Sequence, residues 1–347
     1  MTAIHQGVHT RMNTATNRDD ARRMMVFAGR SSTALGEDIA KRLDMDLGDL
    51  HVKTFANGEI YARFIESIRG ADVFLVQSTC SVLNGVRQSV NDSLMELLIM
   101  INAAKLASAR RITAVMPWYG YSRQDKKSAP REPITAKMIA DILQSVGVDR
   151  VLTMDLHAGQ VQGFFNIPVD HMTAVPILAQ YFHDLPEIRG ERLVVVSPDA
   201  GRAKLASHFA EKLGASLAVL TKQRPEHSEV EMTMLIGDVE GKVAIMIDDM
   251  IDTAGTLVEG AKKVRENGAV KVYAAATHGL FSPPAFERLE RCQDIVGLVV
   301  TDTVPLREGA PAIIRQLPAG QILADCIHNV FHDESVSDVF QGENQLF

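Results

Sequence analysis

The segment Val243-Ala-Ile-Met-Ile-Asp248-Asp249-Met250-Ile251-Asp252-Thr253-Ala254-Gly255-Thr256 decides how this 347-residue chain is read. An apolar run, Val243 to Ile247, has the length and β-branched content of a buried strand and ends in two carboxylates. A short loop of small and hydroxyl residues follows. Then Leu257, Val258, Ala261 and Val264 recur at helical spacing. Strand, tight loop and helix N-terminus together make an anion cradle. Small residues let the backbone approach, free N–H groups point at the anion, and the helix dipole favours it. The neighbouring acids are then free to hold sugar hydroxyls or a hydrated Mg²⁺. The bland alternative is an ordinary turn with solvated acids. No Lys follows Gly255, so this is not the glycine-rich loop of common NTPases.

Length and composition set the frame. A chain of 347 residues suits two domains of ordinary size. Hydrophobic content of 46% and charged content of 23% are those of a globular protein. A net charge of −7 argues against a nucleic-acid-binding surface while leaving room for local basic pockets. Cys80, Cys292 and Cys326 form neither a disulfide framework nor a zinc spacing, which points to a reducing cytosol. No apolar run is long enough to cross a bilayer: Leu94–Leu106 is broken by Glu96, Asn102 and Lys105. Residues 1–23 are polar, lack a signal-peptide core and are expected to be a disordered extension.

Outward from the cradle, β and α patterns alternate, as in mostly parallel sheets with helices on both faces. Strands are expected at Met24–Ala28, Val73–Gln77, Ile112–Trp118 and Val151–Asp155. His51–Phe55 and Ile60–Phe64 flank Asn57-Gly58, a hairpin signal. Helices are expected at Ser31–Leu43, capped by Ser31 or Ser32, at Asn91–Ala107 and at Ile134–Val146. Asn91–Ala107 is apolar nearly all round, so it is buried or lies in a subunit contact. A second cycle runs through the helix Val175–Phe182, the strand Leu193–Val196, the helix Arg202–Leu213 and the strands Leu217–Leu220, Val243–Ile247, Val272–Thr277 and Leu298–Val300. It ends on the helix Ile322–Phe331. The expected division is 24–173 for the first domain, with 322–341 packing back on it, and 174–321 for the second.

Other segments bring chemistry to strand ends, where open α/β sheets bind ligands. Asp155-Leu156-His157 follows one strand, although a single His there is as readily structural. Ser197-Pro198-Asp199 follows another. In Thr221-Lys222-Gln223-Arg224 the two cations lie two apart in an extended run and point to one side. Glu226-His227-Ser228-Glu229 then reads as a mobile loop, so the pair suits a lid over polyphosphate, or else a solvated surface pair. Arg123-Gln124-Asp125 follows Trp118-Tyr119-Gly120-Tyr121, where an Arg can stack on a purine or pair with phosphate. The hairpin tip Phe55-Ala56-Asn57-Gly58-Glu59 completes the set.

The cradle resembles the 5-phosphoribosyl-1-pyrophosphate (PRPP) signature of phosphoribosyltransferases and PRPP synthetases. With Phe55–Glu59, Arg123–Asp125, Arg131–Lys137, Asp155–His157 and Ser197–Asp199 in order, the chain resembles the ribose-phosphate pyrophosphokinase family from Val26 to Phe340. The resemblance implies two phosphoribosyltransferase-like α/β domains, each a mostly parallel sheet flanked by helices. It implies Mg²⁺-dependent transfer of pyrophosphate from ATP to the C1 hydroxyl of ribose 5-phosphate, giving PRPP and AMP in the cytoplasm, by a homohexamer. It matches Phe55, Asn57, Gly58, Glu59, Arg123 and Gln124 to ATP-binding positions, the hairpin reaching across a subunit boundary. Lys222 and Arg224 match catalytic positions. Arg224, Asp248, Asp252, Thr253, Ala254, Gly255 and Thr256 match ribose 5-phosphate positions, and His157 and Asp199 match the metal site. Mg²⁺ prefers oxygen, so His157 is an unusual ligand and can instead touch polyphosphate or a metal-bound water.

Three departures stand out. Gly201 is followed by Arg202 where the family often has a second glycine. Lys126–Pro130 is less basic than usual, and Leu317-Pro318-Ala319-Gly320 replaces a more usual segment. The last two regions lie near the allosteric site of the commonest family type, where phosphate activates and ADP inhibits, so the resemblance leaves that regulation open. Two rivals share the cradle: a PRPP-consuming phosphoribosyltransferase, which has no use for the Arg123 and Lys222 segments, and a non-catalytic homologue that restrains a synthetase.

Overall fold

The computed structural model describes residues 22–82, 88–223 and 232–340. The residues 1–21 of the expected extension lie outside that description, as do Arg224 and the loop Glu226–Glu229. The first sheet is built from β1 (Met24–Ala28), β4 (Asp72–Val76), β5 (Arg111–Met116), β6 (Arg150–Met154) and β7 (Val169–Met172), in that spatial order and all parallel. β2 (Leu50–Thr54) and β3 (Ile60–Phe64) form a separate antiparallel hairpin. Its Asn-Gly turn puts Gly58 at φ 92°, which a side chain would strain.

Period-2 alternation gives the first sheet two apolar faces. Phe27, Val73, Leu75, Ala114 and Met116 meet α2 (Val90–Leu106) and α3 (Thr135–Val146). Val26, Phe74, Val76 and Val115 meet α1 (Thr33–Arg42) and the last helix, α8 (Gly320–His332), through Ile39, Leu323 and Ile327. α2 starts one residue before its expected first residue, because Ser89 and Asp92 close a capping box. Its apolar girth is divided: Leu97, Met100 and Ile101 are buried, while Met95 and Leu106 are exposed.

The expected serine cap of α1 is not made. Ser32 sits at the N-cap without a capping bond. Its Oγ accepts from Ser78 N instead, and Ser31 Oγ donates across the sheet to Gln77 Oε1 and Ser78 O. A buried strand end offered these hydroxyls partners that solvent at the helix end did not need to replace.

The second sheet is larger, in the order β10 (Met232–Ile236), β9 (Ser216–Gln223), β8 (Leu193–Ser197), β11 (Val243–Ile251), β12 (Lys271–Gly279), β13 (Ile295–Thr301) and β14 (Ile314–Leu317). All pairs are parallel except β10 with β9. α4 (Val175–Asp184) and α5 (Ala203–Leu213) cover one face through Phe182 and Phe209. α6 (Gly255–Glu266) and α7 (Ala285–Arg291) cover the other through Ala261, Val264 and Leu289. β11 runs to Ile251, past the expected Ile247, because β12 keeps pairing with it as far as Gly279. β7, β10, β14 and α7 were not expected from the sequence; each is short, and β10 and β14 are edge strands.

The carboxyl ends of the two sheets face each other across a polar seam. His278 Nε2 donates to Met154 O (3.0 Å), and Thr277 Oγ1 donates to Asp155 Oδ2 (2.6 Å). Trp118 stacks edge-on over His278, with ring centroids 4.8 Å apart. No helix among the described residues is long and apolar enough to cross a membrane.

Candidate active site

Strand order in the second sheet reverses between β8 and β11, one leading outward through β9 and the other through β12. Such a switch point opens a crevice at the strand ends. Asp199 follows β8 on one side of it, and Asp248 and Asp249 lie near the carboxyl end of β11 on the other. The loop from Asp252 enters α6 at Gly255, with Ala254 in left-handed backbone at φ 58°. No side chain caps α6, so its first N–H groups are left for a ligand. Arg288 of α7 steadies the loop by donating Nη1 to Thr253 O at 2.8 Å.

A cavity of about 210 Å³ sits over this loop, lined by Asp248 and Asp252 through Thr256, with Pro198 and Arg123 on its wall. Asp252 Oδ2 takes a bond from Arg123 Nη1 at 2.7 Å. Its Oδ1 is buried and has no hydrogen-bond partner among the described residues. A buried carboxylate oxygen left so is costly, and a hydroxyl donor would satisfy it.

Arg123 and Asp252 also line a second cavity of about 380 Å³, with Trp118, Tyr121 and Gln124. The two cavities therefore meet at one ion pair, joining the first sheet to the second. Gln124 is held by Thr135 Oγ1, which donates to its Oε1 at 2.5 Å. Arg123 thus lines both cavities and Gln124 the second.

Strand alternation sends the two acids of the doublet apart. Asp248 lines the smaller cavity, whereas Asp249 Oδ2 meets His157 Nδ1 at 2.8 Å. Burial and the charge of Asp249 push the Asp248 carboxyl well up. Burial acts to raise Asp249 too, but bonds from His157 and Asp248 and the charge of Arg202 outweigh it and hold it down at about 2.

Arg202 joins these groups. Its Nη2 lies 3.0 Å from Asp249 Oδ1 and 2.6 Å from His157 Nδ1, and donates to His157 O at 2.8 Å. Asp199, exposed, accepts from Arg202 N at 3.0 Å. Asp249 and Arg202 were not among the site residues expected from sequence. The doublet itself signalled Asp249; for Arg202 the signal was a charged residue where glycine is usual.

Some expected positions are not brought to these cavities. Phe55, Asn57, Gly58 and Glu59 form the exposed hairpin tip, where Asn57 Oδ1 accepts from Glu59 N, and none of them lines either cavity of its own chain. Lys222 has its backbone in β9, paired with Thr233; its side chain and Arg224 lie outside the described residues. Among the described residues no group of three His, Cys, Asp or Glu is arranged to hold a metal ion. Asp199, an exposed carboxylate, is the kind of oxygen donor that Mg²⁺ takes alongside substrate phosphates and water, whereas the imidazole of His157 is not.

Comparison with known proteins bears on the whole chain. Residues 24–147 match the N-terminal domain of ribose phosphate pyrophosphokinase, and residues 221–341 match the phosphoribosyl synthetase-associated domain. A ribose-phosphate pyrophosphokinase of Clostridium perfringens is 49% identical over 322 residues, covering 92% of this chain and 98% of that protein. One from Caldanaerobacter subterraneus is 49% identical over 318 residues, covering 91% and 98%. The crystal structure of phosphoribosylpyrophosphate synthetase from Mycobacterium smegmatis superposes with a TM-score of 0.83 at 43% identity, covering 90% of this chain and all of that one.

Proposed function

The chain belongs to the ribose-phosphate pyrophosphokinase family, and from that premise we propose how its cleft carries the reaction. It is a ribose-phosphate diphosphokinase: pyrophosphate passes from ATP to the C1 hydroxyl of ribose 5-phosphate, giving PRPP and AMP. The carrying observation for the site is that two cavities meet at the Arg123–Asp252 pair, one of them over an uncapped helix N-terminus.

The smaller cavity takes ribose 5-phosphate. Backbone N–H groups of Thr253 to Thr256 hold the 5-phosphate, and the unpartnered Asp252 Oδ1 accepts a ribose hydroxyl. The larger cavity takes ATP against Arg123 and Gln124. The C1 oxygen then attacks the β-phosphorus, and charge builds on the α–β bridging oxygen as AMP leaves. Such transfers need positioning and charge stabilisation more than covalent help. Arg123 stands between the pockets to steady both anions, and the charges of Lys222 and Arg224 serve the negative charge that develops in the transfer. Asp199 would hold a Mg²⁺ directly and His157 directly or through a metal-bound water, and the ion would supply neutralisation of the polyphosphate charge. The hairpin tip serves a neighbouring subunit's nucleotide rather than its own, in a homohexamer. This reading divides the chain into 24–173 with 322–341, and 174–321.

The test is direct. Purified protein with ATP, ribose 5-phosphate and Mg²⁺ should release AMP and PRPP in equal amounts. ADP as the nucleotide product would mean ordinary kinase chemistry, and no product would favour a binding role.

A further inference from the structure

Arg202 occupies the point where three strand ends converge. His157 follows β6, Asp199 follows β8, and Asp248 and Asp249 lie near the carboxyl end of β11. Its guanidinium reaches Asp249 Oδ1 at 3.0 Å and Asp248 Oδ1 at 3.5 Å, and donates to His157 O at 2.8 Å. Its backbone N is bonded to Asp199 Oδ1. The side chain is only 13% exposed. A guanidinium cannot shed its charge to suit burial, so it persists there only with partners. Conversely, two adjacent carboxyl groups disfavour each other's charge, and a cation beside them offsets that.

We propose that Arg202 is a positioning residue of the transfer site: a resident cation that ties the Asp248–Asp249 pair to His157 and keeps divalent ions off that pair before substrates arrive. The geometry gives it two tasks. One is orientation, since a single guanidinium fixes His157 from its carbonyl while Asp249 fixes the ring. The other is exclusion, since its charge fills the ground between the carboxylates. Divalent ions then enter with the nucleotide, on Asp199 and the outward side of His157, rather than settling on the acid pair. In a chain with glycine at this position, neither task would be done by residue 202.

Mn²⁺ titrated into substrate-free protein, followed by the EPR signal of the free ion, tests exclusion. Arg202→Gln should bind one additional ion at least about tenfold more tightly than the parent does, and Arg202→Lys should restore exclusion. Adding Asp249→Asn to Arg202→Gln should remove the extra ion. In steady state, Arg202→Gln should lower kcat by about 10–100-fold while both KM values move by less than about threefold. Arg202→Lys should recover part of that loss. A variant that melts earlier yet gains no Mn²⁺ site would reduce Arg202 to a structural role and overturn the proposal, as would an unchanged kcat. Arg202→Gln is preferred to Arg202→Ala because it fills the space; should it fail to fold, the double variant Arg202→Gln, Asp249→Asn, which removes charge of both signs, must also lack the extra ion. The kinetic arm rests on the pyrophosphoryl-transfer reading. The Mn²⁺ arm uses no substrate, so a parent protein that makes no AMP would defeat that reading without deciding this one.

Discussion

At the scale of single residues, charge placement decides what the cleft can do. Asp252 has one oxygen on Arg123 and the other, among the described residues, unpartnered, which leaves it able to accept from a bound hydroxyl. Asp252→Asn should therefore raise KM for ribose 5-phosphate by about 10–100-fold and leave KM for ATP nearly unchanged, read from paired substrate titrations. An effect confined to ATP would show the pockets reversed. Lys222→Ala should cut kcat by at least ~10²-fold, about 3 kcal/mol of barrier, with little change in ATP affinity. A near-normal kcat would remove Lys222 from the mechanism. The acid doublet was plain in the sequence, but its division of labour was not. Successive strand residues point to opposite faces, and only the seam between the sheets gives Asp249 a histidine to hold.

At the scale of elements, the cradle is a strand, a strained turn and a bare helix end. Ala254 adopts φ 58°, where a Cβ costs about 1 kcal/mol that glycine avoids. Ala254→Gly should be neutral or stabilise by up to about 1 kcal/mol, and Ala254→Val should destabilise by about 1–2 kcal/mol, both read from urea unfolding. A stabilising Val would mean that the loop does not hold this backbone. Long elements were readable from pattern because buried runs and helical spacing extend over many residues. The short edge strands β10 and β14 were not, since a few half-buried residues carry no clear period. The N-terminus of α1 misled for a different reason: serine is a good cap, but Ser31 and Ser32 spend their hydroxyls on the neighbouring strand end.

At the scale of the whole molecule, the two sheets are locked by a buried polar seam with a pH signature. His278 is fully buried between Met154 O and Thr303 Oγ1, and burial pushes its pKa down to about 4 from 6.5. As pH falls below 6.5, the unfolded chain takes up this proton while the native one resists until about 4. The stability His278 contributes is thus present above pH 6.5 and lost on the way down to 4. The urea midpoint of His278→Asn should therefore fall less steeply than the parent's across that window. Identical slopes would deny that this residue is buried neutral. The α/β class, the order of the long elements, the strand–loop–helix passage after β11 and the family could be read from the chain alone, because each is written in local periodicity or in contiguous motifs. Only the tertiary structure decided which strand ends meet: that Arg123 closes on Asp252, that Asp249 turns to His157, and that Arg202 stands among them. Those contacts join residues far apart in the chain, and their geometry follows from how two twisted sheets pack, which no local pattern encodes.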